Sequence, residues 1–432
     1  MRKGMTKMTE AIDYSLNVTR SDALMLYATS QGGYTVRLHL RLDEPIRPDA
    51  MRKALDLTAK RYPYFCVSLK RNEREAYYVR IDSPVALLHT DQMITLGSED
   101  TNGQIWAVCY SEEHLYLDFF HGRSDGTGMY RVLATLLYYY FHELYGLTDS
   151  SGIRTLETPM TNAETADPLE TFPLIDLSTL QIPPLPRALN LMESLGLERG
   201  EGKGYIRKLS IPEDVLIPFI KENDASPGIL ACVLMARTIE RVIPEHTLPI
   251  INHYVINARP MLNAPDTFHN CLGRALLDFS DAIRRMPLDK QCTAYRGKTI
   301  LQSDESTVRK LLTVSASNSQ RILDLPDFDA KVMAARRSME NAFSAFSYTV
   351  SYVGRWAYPQ LGEHIREFWT ETPGGPFPLL ELSAINGNVY ISMIQTFRED
   401  VYYQVFLKEL EENGITVNEY GMTPIQTAEV RF

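Results

Sequence analysis

Between residues 147 and 204 the chain carries Pro159, Pro168, Pro173, Pro183, Pro184 and Pro186, and no hydrophobic period runs through them. Each proline fixes one backbone dihedral and removes a hydrogen-bond donor, so neither a long helix nor a central strand can cross this stretch. A segment of that length without a period does not belong inside one compact domain and predicts a boundary. It divides the 432 residues into a lobe over 1–148, a connector over 149–204 expected along the surface, and a lobe over 205–432. Each lobe is long enough to bury its own core.

Both lobes mix the two hydrophobic periods. In the first, strands are predicted at Tyr34–Leu42, Tyr64–Leu69, Ala76–Ile81, Ile105–Tyr110 and His114–His121, with a helix at Pro48–Arg61. A second helix runs from Thr127 to Tyr145, where Met129, Leu133, Leu136, Tyr140 and Leu144 recur every three or four residues and Gly146 is the stop. In the second lobe, strands are expected at Tyr205–Ile211, Leu248–Arg259, Cys271–Phe279, Phe346–Val353, Leu379–Asn386 and Asn388–Phe397. The Asn386-Gly387 pair marks the turn between the last two. Helices are expected at Pro227–Val242, 304–316, 328–342 and Asp400–Glu412. The fold class is therefore α/β, in two lobes.

A net charge of −10 argues against a general nucleic-acid binder. The five cysteines form no Cys-x-x-Cys pair, so no zinc or dithiol site is expected and a reducing compartment fits. The first twenty residues lack the apolar stretch of a secretory signal, and no apolar run reaches the ~20 residues that span a bilayer. These features predict a cytoplasmic protein without a membrane span.

The segment with chemical promise follows the strand His114–His121. Leu115, Leu117, Phe119 and His121 share one face, because strand side chains alternate. His121 thus ends an apolar row, and Gly122-Arg123-Ser124-Asp125-Gly126 turns the chain into the next helix. On residues alone, two readings stand: a base held rigidly at the edge of a cleft, or a core histidine beside an Asp125 that merely caps the helix. Gly126 and Gly128 fit either.

The run His121-Gly-Arg-Ser-Asp125-Gly126, between a strand and a long apolar helix, resembles the His-x-x-x-Asp-Gly signature of the CoA-dependent acyltransferase superfamily. That group includes chloramphenicol acetyltransferase, plant acyltransferases, alcohol acetyltransferases and the condensation domains of peptide synthetases. Further resemblances lie at Asp22, at Ala54–Pro63, at Ile256-Asn257-Ala-Arg259-Pro260 with Gly273, and at Ser351-Tyr352-Val353-Gly354. The likeness implies two chloramphenicol-acetyltransferase-like lobes, forming a pseudodimer with a central cleft or tunnel. It implies direct transfer, with His121 as general base and no acyl-enzyme, and Asp125 pairing with Arg259 to shape the loop. Gly126, Asn257 and Tyr352 are the implied substrate-binding positions. Acyl-CoA would be a co-substrate, with no permanently bound cofactor and no metal, and a small alcohol or amine the acceptor. A monomer would suffice.

The chain departs from the family pattern twice. Tyr352 stands where the alcohol acetyltransferases have asparagine, which leaves Ser351 or Tyr352 as the oxyanion donor. Phe120 replaces the first histidine of the condensation-domain motif, which leans toward the alcohol-acetyltransferase branch. Two alternatives stay open: an acyl donor carried by an acyl carrier protein, and an inactive homologue that only binds ligand.

Overall fold

The computed structural model describes residues 16–30, 32–179, 185–194, 196 and 204–432, so Pro183 and Pro184 of the connector lie outside the described residues. Helix α1 (Arg20–Thr29) leads into β1 (Thr35–Leu42), α2 (Pro48–Arg61), the hairpin β2 (Val67–Arg71) and β3 (Ala76–Arg80), then β4 (Leu87–His89), β5 (Trp106–Ser111), β6 (His114–Phe120) and α3 (Gly126–Tyr145). Alternation decides the faces. Val36, Leu38, Leu40 and Leu42 of β1 join Leu115, Leu117 and Phe119 of β6 in one core with Met51, Leu55, Leu133 and Leu136 of α2 and α3. On the other face of β1, Arg37 lies opposite Asp118 in register and donates two bonds to it, at 2.7 and 2.8 Å.

After the connector come β7 (Tyr205–Pro212), α4 (Glu213–Glu222), α5 (Pro227–Val242), β8 (Ile251–Asn257), β9 (Leu272–Asp278), α6 (Leu288–Gln302), α7 (Glu305–Leu323) and α8 (Phe328–Phe343). The chain ends in β10 (Tyr348–Arg355), β11 (Ile365–Glu371), β12 (Leu379–Ile385), β13 (Asn388–Gln395), α9 (Val401–Glu412) and β14 (Asn418–Pro424). Seven strands form the second sheet in the order β14-β7-β13-β12-β10-β8-β9, with β10 parallel to both neighbours. Val350, Leu380 and Leu382 on one face pack a second core with α5 and α9. The opposite face turns toward the first sheet.

Three features differ from the sequence expectations. The first sheet has the order β11-β1-β6-β5-β4, so its edge strand, Ile365–Glu371, comes from late in the chain. Arg366, Glu367 and Glu371 hid that strand by breaking its apolar pattern. In the fold, Glu367 meets Arg41 at 2.5 Å and Glu371 meets Lys208 at 2.6 Å. The connector's described residues run largely exposed, as expected, but are pinned at a point the sequence did not disclose: Glu164 is buried and accepts bonds from Arg61 at 2.8 and 3.1 Å and from the Tyr64 hydroxyl at 3.0 Å. A buried carboxylate is tolerated there because guanidinium and phenol donors surround it. The strand expected at Tyr64 begins at Val67, because Pro63–Phe65 is a 3-10 turn.

The sheets are tied where β11 crosses over. Glu371 accepts bonds from Lys208 of β7 and from His39 of β1, the latter at 2.8 Å, and His39 bonds His114 at 2.9 Å through its other nitrogen. Burial holds His39 down to about 4, so it stays neutral at ordinary pH. Burial alone would raise the Glu371 carboxyl, but Lys208 and His39 outweigh it and hold it well below the usual range. Both groups bind fewer protons folded than unfolded as pH falls, so both withdraw stability in acid. Thermal unfolding should therefore show a melting temperature that declines as pH drops from about 6.5 toward 4. Lys208→Met leaves Glu371 buried without its cation and should cost roughly 3–5 kcal/mol in denaturant unfolding; a loss below about 1 kcal/mol would refute this account of the junction.

Candidate active site

His121 sits one residue beyond β6, and its backbone N–H donates to the Tyr34 carbonyl at 2.9 Å, extending the ladder past the last paired residue. The turn after it is held from both lobes. Arg123 is buried with its guanidinium 4.1 Å from the Tyr78 ring centre and 4.7 Å from that of Phe268. The Ser124 hydroxyl donates to the Phe268 carbonyl at 2.7 Å. A Cβ on Gly128 would lie 2.7 Å from the same carbonyl, whereas one on Gly126 would only touch Val353 at 3.6 Å. Close packing therefore requires glycine at 128, while Gly126 opens onto the cavity.

Asp125 has two roles at once. Its carboxylate caps α3 by accepting from the Gly128 N–H at 3.0 Å, and it takes two bonds from Arg259 at 2.8 Å each. A further bond comes from the Cys271 N–H at 3.0 Å. Burial pushes this carboxyl up, but the Arg259 charge and its donated bonds prevail and hold it below the ordinary value. Arg259 is itself oriented by the Thr267 and His269 carbonyls, and Asn257 accepts from its backbone N–H at 3.1 Å.

The histidine ring presents two unlike nitrogens. Nδ1 is buried and makes no hydrogen bond of good geometry, and the Oδ1 of Asn270 is buried and unpartnered in the same way. Burial lowers the His121 pKa below the ordinary imidazole value, while its own carbonyl, Asp125, Asn270 and the Ser124 carbonyl partly resist. Those acceptors favour a proton on Nδ1 and leave Nε2 as the basic nitrogen toward the cavity. Asn270 is fixed in turn: its amide donates to the His121 carbonyl at 3.0 Å and to Asp22 at 3.1 Å. Asp22 also accepts from His269 Nδ1 at 2.7 Å, and that contact raises the pKa of His269 against the effect of burial. The Tyr34 ring meets His121 edge-on with centres 5.5 Å apart.

His121, Asp125, Gly126, Asn257, Ser351 and Tyr352 all line one cavity of about 210 Å³ between the two sheets. Arg259 stands behind it, bonded to Asp125. On the second sheet the cavity-facing positions follow the strand period: His253, Val255 and Asn257 on β8, Thr349 and Ser351 on β10, Leu379 and Glu381 on β12. Ser351 is in register with Glu381 and donates to it. Tyr352 borders the cavity and also packs against the second core. Glu381 and Asn270 were missed in the sequence. For Glu381 a signal existed, since it alternates with Leu380 and Leu382 and so had to face away from the core. Asn270 lies in a loop, where no period points to it. Among the described residues no group of three or more His, Cys, Asp or Glu side chains could hold a metal ion, and no helix is long and apolar enough to cross a membrane.

No family model and no curated protein matches the chain. Solved structures do. Polyketide synthase associated protein 5 from Mycobacterium tuberculosis is similar over 95% of this chain and 100% of its own, with a TM-score of 0.61 and 13% identity. TRI101 of F. graminearum, complexed with coenzyme A and deoxynivalenol, is similar over 95% and 100%, with a TM-score of 0.62 and 10% identity. The first condensation domain of the CDA synthetase covers 94% and 96%, with a TM-score of 0.55 and 13% identity. At these identities the likeness is one of fold, and the fold is the one these solved structures share, TRI101 and a condensation domain among them. Fold alone does not assign the chemistry.

The bonds that Asp125 accepts imply that its loss is felt first as stability. Asp125→Ala strands a buried guanidinium and removes a helix cap, so unfolding free energy should drop by roughly 3–5 kcal/mol. His121→Ala removes only a cavity-lining ring and should unfold within about 1.5 kcal/mol of the parent. Equal losses for the two variants would contradict this division of roles.

Proposed function

We propose that the protein transfers an acyl group from a CoA thioester to a hydroxyl or amine, with His121 as the general base. The observation that carries the reading is the state of the His121 ring: Nδ1 buried among acceptors, Nε2 open to a cavity between the two lobes. Nε2 accepts the proton of the acceptor's O–H or N–H as the heteroatom attacks the thioester carbonyl carbon. When the tetrahedral intermediate collapses, the C–S bond breaks and the same proton passes from Nε2 to the leaving sulfur. The products are an ester or amide and free CoA thiol, and the histidine returns to its starting state without an acyl-enzyme.

A base whose pKa is pushed down by burial is unprotonated throughout the neutral range, which suits the first transfer. The same ring, once protonated, is a stronger acid than free imidazolium, which suits the second. Asp125 and Arg259 act through the loop and touch no substrate. Ser351 lines the same cavity and is the candidate for the oxyanion, a role that requires its single hydroxyl proton to turn from Glu381 to the substrate. Likeness to a condensation domain keeps a carrier-borne thioester as the second reading of the donor. Cytoplasmic location and a monomeric state accompany the reading and rest on the sequence argument.

Thiol release from acetyl-CoA and longer acyl-CoAs, followed across a panel of alcohols and amines, tests the proposal. Acceptor-dependent release should fall by about 10²–10⁴ in His121→Ala. The free base is the active form and its pKa is lowered, so with a neutral alcohol as acceptor the acid limb of kcat/KM should lie below about 6.5. An acid limb above that value, or a His121→Ala variant of full activity, would overturn the assignment. Release from acyl-phosphopantetheinyl carrier but from no acyl-CoA would move the reading to the second donor.

A further inference from the structure

The cavity that His121 shares holds a second ionisable group with no counter-charge. Glu381 projects from β12 on the face opposite the second core, and its accessible surface is turned into the cavity. Its one hydrogen-bonding side chain is Ser351. The cavity's other carboxyl, Asp125, is already paired with Arg259. No lysine or arginine is among the residues lining the space. A largely desolvated carboxylate without a cation or several donors is costly, and no lining residue supplies a cation to balance this one.

The walls around it narrow the chemistry. Phe343, Phe346 and Phe377 pack edge-on at 4.7 to 6.0 Å between ring centres. Across from them stand Tyr34 and Tyr130, whose phenols both feel the Glu381 charge. A carboxyl without a paired cation, among the rings of Phe343, Phe346, Phe377, Tyr34 and Tyr130 in a space of about 210 Å³, is a setting that favours an organic cation over an anion or a plain hydrocarbon. We infer that Glu381 is the residue that selects the acceptor, holding the ammonium group of a small amino alcohol while its hydroxyl reaches His121. The word acceptor rests on the acyl-transfer reading; the ammonium site does not.

Ionisation supports this geometry. Burial lifts the empty protein's Glu381 carboxyl to about 7, with Ser351 opposing. The titratable groups around it come from three directions. The first sheet contributes Tyr34, raised to about 12, and His121, lowered; α3 contributes Tyr130, raised, and Asp125, lowered. The second sheet contributes His253, lowered to about 3 by burial and by the Arg274 guanidinium of β9, and Tyr352, raised. Helix α8 presents only Met339 and Phe343 to the cavity. The shifts of these other groups all run away from the window between pH 6.5 and 8. Over that window an ammonium ligand should bind more tightly as pH rises and should release a proton on binding.

Choline and its neutral isostere 3,3-dimethyl-1-butanol separate charge from shape. Calorimetry with the full chain, without acyl-CoA, should show choline bound at least about tenfold more tightly at pH 8, with the preference shrinking toward pH 6. Proton release at pH 7, read from buffers of different ionisation enthalpy, should accompany it. Glu381→Gln should remove both the preference and the proton release; if that variant does not fold, the pH dependence of the parent decides alone. Equal affinity for the two probes, binding of neither, or a preference untouched by Glu381→Gln or by pH would overturn the inference. The His121→Ala variant should keep the choline preference. If it does while no thioester donor reacts, the ammonium site stands and the acyl-transfer reading falls; if transfer occurs without preference for choline, the reverse holds.

Discussion

Two bonds of 2.8 Å between Arg259 and Asp125 fasten the turn after β6 to the loop after β8, and the cavity exists only because that fastening holds. The carboxylate caps α3, accepts from the Cys271 N–H and neutralises a guanidinium that reaches back to two carbonyls of its own loop. Each partner would be an uncompensated buried charge without the other. Because one partner belongs to each lobe, the pair fixes the distance between the His121 turn and the second sheet. Asn270 repeats the arrangement on a smaller scale, bonding the His121 carbonyl from one side and Asp22 from the other.

Strand alternation then distributes the chemistry. The residues of β10 and β12 that do not enter the second core are the ones that meet His121 across the gap, so Ser351 and Glu381 are brought together by register. The crossover of β11 into the first sheet works in the same sense: it contributes Thr370 to the cavity wall while Glu371 ties β1 to β7. Neither lobe could form the cavity by itself.

What the sequence disclosed follows from range. The strand, turn and helix around His121 are contiguous, so period, turn chemistry and the Pro-free run of α3 were legible between residues 114 and 145. Long-range placement was not. Ile365–Glu371 reads as a broken pattern because Arg366, Glu367 and Glu371 are paired with residues hundreds of positions away, and pairing of that kind leaves no local trace. Glu164 was lost in the connector for the same reason: burial of a carboxylate is affordable only when Arg61 and Tyr64, far off in sequence, supply donors. Glu381 lies between these cases. Its orientation could be read from Leu380 and Leu382, but its company with His121 could not.

Burial acts on His121 and Glu381 in opposite directions and favours the uncharged form of each. It lowers the histidine and raises the carboxyl, because in each case the charged form is the one that loses hydration. Near neutrality the empty cavity therefore holds an uncharged base and a carboxyl poised between its two states, while the fixed Asp125 charge is cancelled by Arg259. A cation that enters is met by ionisation of Glu381 rather than by a charge kept waiting in the empty protein. His121 need not share that response, since its acceptors lie on the Nδ1 side and the proposed transfer uses only Nε2. One partly buried cavity can thus recognise a charged group and still offer a neutral base, provided the two sit on facing sheets.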